Sequence, residues 1–480
     1  MIRKLLPFAL ALPAAAAALA APPEQLTLGR FGTVTLYRSS PTPRHVAFFV
    51  SGDGGWNEGV VDMAQYLAAD DTLVVGIDIL HYLKALAAAD DKCSYVAADF
   101  ETASQLVQRK LGFPRYVPPV LVGYSSGATL VYAALVQAPP STFKGAVSLG
   151  FCPDLLLVKP FCKGRGLEWD PGPKGKGVLF RPASTLEDPW IALQGTVDQV
   201  CDPPSTQRYA AQVPHGEVVM LPKVGHGYSV PRNWLPQFRS AFARVVGPAD
   251  GAGVPPARTA PPPGTPSAPL SPGEPSSLDD LPLVEVPAQG DGGLLAVILS
   301  GDGGWAGIDR DIGNSLAARG IPVVGLNSLQ YFWKARTPDG AAADLARVLR
   351  HYLAAWNKSS AVVVGYSFGA DVAPFLVNRL PAELRQRIGL LALLGLDATA
   401  DFEFHVGDWL GSSGGKSLPV KPEMERLAGL KTLCFFGADE KDAFCPTLPA
   451  ALATQVRLEG GHHFGGNYKV IADRIGGDSR

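Results

Sequence analysis

Apolar runs of strand length alternate with amphipathic stretches of helix length along most of the chain. In the first half, residues 45–50, 72–79, 119–123, 145–149, 190–194 and 217–221 read as strands. Helical periodicity covers 58–69 and 95–111, and a further helix runs from the turn after residue 125 to about 137. The second half repeats the pattern, with strands at 294–299, 322–327, 361–365, 389–394, 432–436 and 455–458. These runs are continuously apolar rather than alternating, which is the pattern of strands covered on both faces. The reading is therefore an α/β fold: in each half, a mostly parallel sheet with helices on both faces.

Between the halves the periodicity lapses. Residues 247–281 are dominated by Pro, Ala, Gly and Ser, a composition that buries too little apolar surface to order itself and makes a semi-stiff spacer. The expected layout is a first domain over 28–246, a linker over 247–281 and a second domain over 282–477. The halves are also linked by repetition. Ser51-Gly-Asp-Gly-Gly-Trp56 recurs as Ser300-Gly-Asp-Gly-Gly-Trp305, and Val122-Gly-Tyr-Ser-Ser-Gly127 as Val364-Gly-Tyr-Ser-Phe-Gly369. Each copy follows an apolar strand, in the same order, as in an internal duplication.

The second motif is G-x-S-x-G between a strand and a helix, the context of a nucleophile elbow, so the chain reads as two tandem α/β-hydrolase domains with nucleophiles Ser125 and Ser367. A serine nucleophile needs a base and a group to orient that base. Following the chain order of this fold, Asp198 and His226 complete the first site. In the second, His462 has the Gly-His spacing of His226, with His463 as its alternate. The acid is open among Asp439, Glu440 and Asp442. Counting back from Cys445, taken as the match of Cys201, favours Asp442. The backbone N–H groups of Ser126 and Asp53 in one copy, and of Phe368 and Asp302 in the other, are the expected oxyanion donors. The carboxylates of Asp53 and Asp302 then either cap the following helix or meet a cationic substrate.

Composition changes this picture little. The 480 residues are 47% hydrophobic and 18% charged, with a net charge of −2, which argues against a general nucleic-acid binder. Arg3 and Lys4 precede an Ala/Leu-rich stretch ending in Ala18-Leu19-Ala20, so residues 1–20 read as a cleaved signal peptide and the location as the periplasm. Six cysteines in an exported chain suggest disulfides. Cys434 with Cys445 is the simplest pair, and the other four allow three connectivities. No metal-ligand cluster stands out, and a triad needs no cofactor. No long lid is expected between the core strands.

The motifs Ser300-Gly-Asp-Gly-Gly-Trp305, Gly365-Tyr-Ser-Phe-Gly-Ala-Asp371 and Gly460-Gly-His-His-Phe464 resemble those of the VirJ/AcvB group of exported bacterial virulence proteins. The second domain is similar to the single-domain VirJ type, and the two-domain layout to AcvB. The resemblance implies hydrolysis of an aminoacyl-phosphatidylglycerol, lysyl or alanyl, at the membrane surface, and a link to type IV secretion components. In that reaction Ser367 would attack the ester carbonyl with His462 as base, and Asp302 would hold the ammonium. Two other readings compete: a general lipase or thioesterase, and a non-catalytic periplasmic escort protein that keeps the fold.

Overall fold

A computed structural model describes residues 23–247, 277–290, 292–404, 417–466 and 468–479. The expected signal peptide and most of the expected linker lie outside them.

The first domain opens with an antiparallel pair, β1 (Glu24–Leu28) and β2 (Gly32–Tyr37), followed by β3 (His45–Val50), α1 (Glu58–Ala68), β4 (Thr72–Ile77), α2 (Ile79–Ala88) and α3 (Val96–Lys110). Then come β5 (Val120–Tyr124), α4 (Ser126–Gln137) and β6 (Gly145–Leu149). Three short strands, β7 (Asp154–Leu155), β8 (Trp169–Pro171) and β9 (Val178–Phe180), form a small separate sheet before β10 (Trp190–Gly195), α5 (Pro203–Ala210), β11 (Gly216–Leu221) and α6 (Leu235–Val246). The main sheet runs β1-β2-β4-β3-β5-β6-β10-β11 and is parallel from β4 onward.

The second domain repeats this with β12 (Leu283–Val286), β13 (Leu294–Leu299), α7 (Gly307–Ala317), β14 (Val323–Leu326), α8 (Ser328–Tyr331), α9 (Pro338–Ala355), β15 (Ser360–Tyr366) and α10 (Phe368–Asn378). It continues with α11 (Ala382–Arg385), β16 (Ile388–Leu394), the two-residue strands β17 (Thr399–Ala400) and β18 (Leu418–Pro419), and α12 (Lys421–Arg426). The last elements are β19 (Thr432–Gly437), β20 (Thr454–Leu458) and α13 (Tyr468–Asp478). Its sheet order is β12-β14-β13-β15-β16-β19-β20, with only β12 antiparallel. Each sheet is the α/β-hydrolase fold. Each also separates two apolar layers, because the central strands bury side chains on both faces.

The domain boundaries shift outward at two places. β1 and its partner pull residues from Glu24 into the first domain, ahead of the expected start at 28. The last residues of the expected linker dock on the second domain: Leu278 and Leu281 are buried, and Asp280 pairs with Arg347. The segment after β6 builds the three-stranded sheet and is fastened by Cys93–Cys162 to the residues just before α3. Cys152–Cys201 and the expected Cys434–Cys445 complete the disulfides among the described residues.

The domains touch through α3 of the first. Arg109 donates to the Glu403 carboxylate and the Phe404 carbonyl, each at 2.7 Å, and lies over the Trp333 ring. The Trp333 indole N–H donates to the Phe113 carbonyl at 2.8 Å, and the ring is buried with Tyr116, Leu329 and Phe404. Arg165–Asp311 and Arg310–Glu187 pair across the same boundary.

Candidate active site

Both serines occupy the sharp turn between a strand and a helix, with φ/ψ of 56°/−124° at Ser125 and 50°/−120° at Ser367. A non-glycine residue with positive φ is strained, and strain of this kind concentrates at functional sites. The turn also explains the flanking glycines. A Cβ on Gly127 would come within 2.4 Å of the Ser51 carbonyl oxygen, and one on Gly369 within 2.1 Å of that of Leu299. The helix therefore starts hard against the end of the neighbouring strand, β3 or β13, and each serine stands beyond the carboxyl edge of the sheet, where ligand sites of open α/β sheets gather.

In the first domain the predicted residues meet. His226 Nε2 lies 3.0 Å from Ser125 Oγ and its Nδ1 lies 2.9 Å from the Asp198 carboxylate. Asp198 is buried and also accepts from the N–H groups of Val200 and Cys201 and from the Gln194 amide. This cradle of donors holds the carboxyl group in place to orient the histidine. A cleft of about 310 Å³, lined in part by Asp53, Val60, Met63 and Tyr124, opens onto Ser125.

The second domain differs in its acid. His462 Nδ1 lies 2.5 Å from Glu440, and Glu440 also accepts from the Gly437 N–H. Asp442, favoured by counting back from Cys445, is exposed, as is Asp439. The count from the cysteine fails because Cys201 is bonded to Cys152 and Cys445 to Cys434, so the two are not equivalent anchors. Counting from the end of the strand works: Asp198 and Glu440 each stand three residues after the last glycine of β10 and β19. His463 is held instead by the Tyr366 hydroxyl at 3.0 Å. The His462 ring packs over Gly395 as that of His226 packs over Gly150. Among the described residues, no hydrogen bond joins His462 to Ser367.

The Ser-Gly-Asp-Gly-Gly-Trp loops run beside the serines. Ser51 and Ser300 turn inward and accept from the N–H groups of Ile79 and Ser328, while Trp56 and Trp305 pack on Gly76 and Gly325 of the neighbouring strand. Ser126 and Phe368 are the first residues of their helices, so their N–H groups have no partner within the helix and point outward from its positive end. Neither aspartate caps a helix: the N-cap positions are Asn57 and Ala306. Asp53 accepts from the Ser126 hydroxyl at 2.7 Å. With Phe368 in place of that serine, Asp302 accepts only from its neighbour Gly303 among the described residues, while the Phe368 ring packs on Phe332.

Several acids near the second site escaped the sequence reading. Asp309 stands four residues after Trp305, where the first copy has the cleft-lining Val60. It is 3% exposed, and burial pushes its carboxyl well above the usual range despite backbone N–H groups that favour the ionised form. Asp371 replaces Thr129 and accepts from the Asp397 N–H at 2.7 Å, fastening the segment after β16. Glu101 comes from the other domain. Its Oε1 lies 3.2 Å from where a Cβ on Gly303 would sit, and burial, then the charge of Asp302, pushes its carboxyl up to about 8.

The sequence model of a family described as bacterial virulence protein (VirJ) matches residues 44–150 and 293–478, more than half of the chain. No curated protein matches it in sequence. Similar solved structures include the esterase domain of a Rhodothermus marinus protein (16% identity, TM-score 0.32, 47% of this chain and 99% of that one). Est1E from Butyrivibrio proteoclasticus is another (12%, 0.32, 46% and 97%). A third is XC6422 from Xanthomonas campestris, an α/β serine hydrolase without a lid (20%, 0.31, 48% and 95%).

Proposed function

Since the chain belongs to the bacterial virulence protein (VirJ) family, we propose that it is an exported serine esterase that releases the amino acid from an aminoacyl-phosphatidylglycerol. The observation that carries the chemistry is the unbroken line Ser125–His226–Asp198, with contacts of 3.0 and 2.9 Å, matched in the second domain by the His462–Glu440 pair beside Ser367. The acids around Ser367 support an aminoacyl ester there, because its ammonium would supply the positive partner that favours their ionised form.

In this reading His462 Nε2 takes the Ser367 Oγ proton as the oxygen attacks the ester carbonyl. The N–H groups of Phe368 and Asp302 hold the oxyanion. The tetrahedral species collapses, the glycerol oxygen of phosphatidylglycerol leaves with the proton from His462, and an aminoacyl-serine remains. Water, deprotonated by the same histidine, then frees the amino acid. Ser125 provides a second site of the same chemistry. Catalytic hydrogen bonds are often long before substrate binds, which accommodates the open Ser367–His462 distance.

The test is release of free amino acid from lysyl- and alanyl-phosphatidylglycerol by the mature chain, beside Ser125→Ala and Ser367→Ala. Loss in Ser367→Ala alone assigns the reaction to the second domain. No turnover of either lipid by the wild type sinks the reading. The absent Ser367–His462 hydrogen bond favours one alternative, an escort protein, possessing the fold without turnover at the second site and linked to type IV secretion components. A serine-directed fluorophosphonate that fails to label Ser367 would support it.

A further inference from the structure

We propose that Glu101 of the first domain belongs to the substrate site of the second, where with Asp302 it receives the ammonium of a cationic acyl group. The inference rests on the reading of Ser367 as the site of an aminoacyl ester. Three observations place the residues together. The loop after β13 passes Ser367, since a Cβ on Gly301 would lie 3.7 Å from the Ser367 Cβ. Two residues on, Gly303 lies under the Glu101 carboxylate. Arg109 then fixes the helix that carries Glu101: it stands about two turns further along α3 and is clamped on Glu403, Phe404 and Trp333 of the second domain.

The carboxyls around this point lack a cationic partner among the described residues. Among the described residues no hydrogen bond or ion pair reaches the Glu101 carboxylate, and Asp302 meets no cationic side chain. Asp309, buried at the position that lines the cleft of the first site, has one carboxylate oxygen without a hydrogen-bond partner. Burial, and after it the neighbouring Asp302 carboxylate, disfavours ionisation of Glu101 and raises its carboxyl. A ligand ammonium would supply the missing positive charge and donors. The first site shows the contrast: Asp53 is satisfied by Ser126, and Val60 stands where Asp309 does. The duplication thus gives one domain a part in the other's specificity.

The experiment is calorimetric titration of the full mature chain, carrying Ser367→Ala to prevent turnover, with lysinamide and with its Nα,Nε-diacetyl derivative, which has no ammonium. Lysinamide should bind and the diacetyl compound should not. Glu101→Gln, which keeps shape and removes charge, should weaken lysinamide by about ten-fold or more, and Glu101→Asp should retain most of the binding. Unchanged affinity in Glu101→Gln, equal affinity for the two ligands, or no saturable binding overturns the proposal. Thermal melts check that the variants fold, and Asp302→Asn carries the same comparison if Glu101→Gln does not. The reading itself is judged apart, on the lipids: turnover that is indifferent to Glu101→Gln keeps the esterase and removes the inference. Ammonium binding that depends on Glu101, without lipid turnover, does the reverse.

Discussion

At the scale of single residues, the second site turns on Glu440. Its carboxylate holds His462 Nδ1, whereas Asp442 faces solvent. Glu440→Gln should therefore lower ester hydrolysis at Ser367 by about 10⁴-fold, the magnitude for loss of the orienting acid in a triad. Asp442→Asn should leave it within about two-fold, because an exposed side chain away from the histidine contributes little. Reversed effects in steady-state kinetics would return the acid to Asp442. The elbow is as demanding. Gly369→Ala would drive a methyl to 2.1 Å from the Leu299 carbonyl oxygen. Overpacking of this kind costs about 1–3 kcal/mol and lowers the melting temperature by several degrees. An unchanged melt would mean that α10 can slide away from β13.

At the scale of elements, the acid loops of the two copies are held by different staples. Cys152–Cys201 ties the segment after β6 to the turn whose N–H groups cradle Asp198. Cys434–Cys445 instead ties β19 to the turn that follows it. The Cys152→Ser/Cys201→Ser pair should therefore impair turnover at Ser125 more than at Ser367, measured on a small chromogenic ester in the two single-serine backgrounds. Equal losses would point to a general loss of stability. Cys93–Cys162 closes a longer loop, 69 residues apart in sequence, and its removal should cost on the order of 4 kcal/mol in the chain-entropy account. The core strands were legible because continuous apolar runs between turn residues leave few alternatives. β1, β2 and β7–β9 were not: β7–β9 are two or three residues long, and β1 and β2 interleave polar residues with the leucines and valine they bury.

At the scale of the whole molecule, the question is whether the domains act as one body. Trp333 is 2% exposed, bonded to Phe113 of the other domain and covered by Arg109. Trp333→Ala should remove about 3–5 kcal/mol of burial at this boundary. Calorimetric unfolding should then separate into two transitions, and the proteolytic sensitivity of the boundary should rise. A single transition, unchanged, would mean the docking does not couple the halves. The same variant should weaken lysinamide binding if α3 delivers Glu101 to the second site.

The sequence by itself determined the duplication, the strand and helix alternation, the two elbow serines and the histidines after the last strands. Each is a local pattern: apolar periodicity, or glycines demanded by a turn whose strain is written in a few adjacent residues. It left the second acid open and the domain limits approximate, and it held no sign of Glu101. Only the tertiary structure decided these. Which carboxylate reaches His462 depends on the path of a loop two residues longer between acid and cysteine than its counterpart. Which residue faces Asp302 depends on how α3 of one domain docks on the other, a contact between residues about two hundred positions apart that no local period encodes.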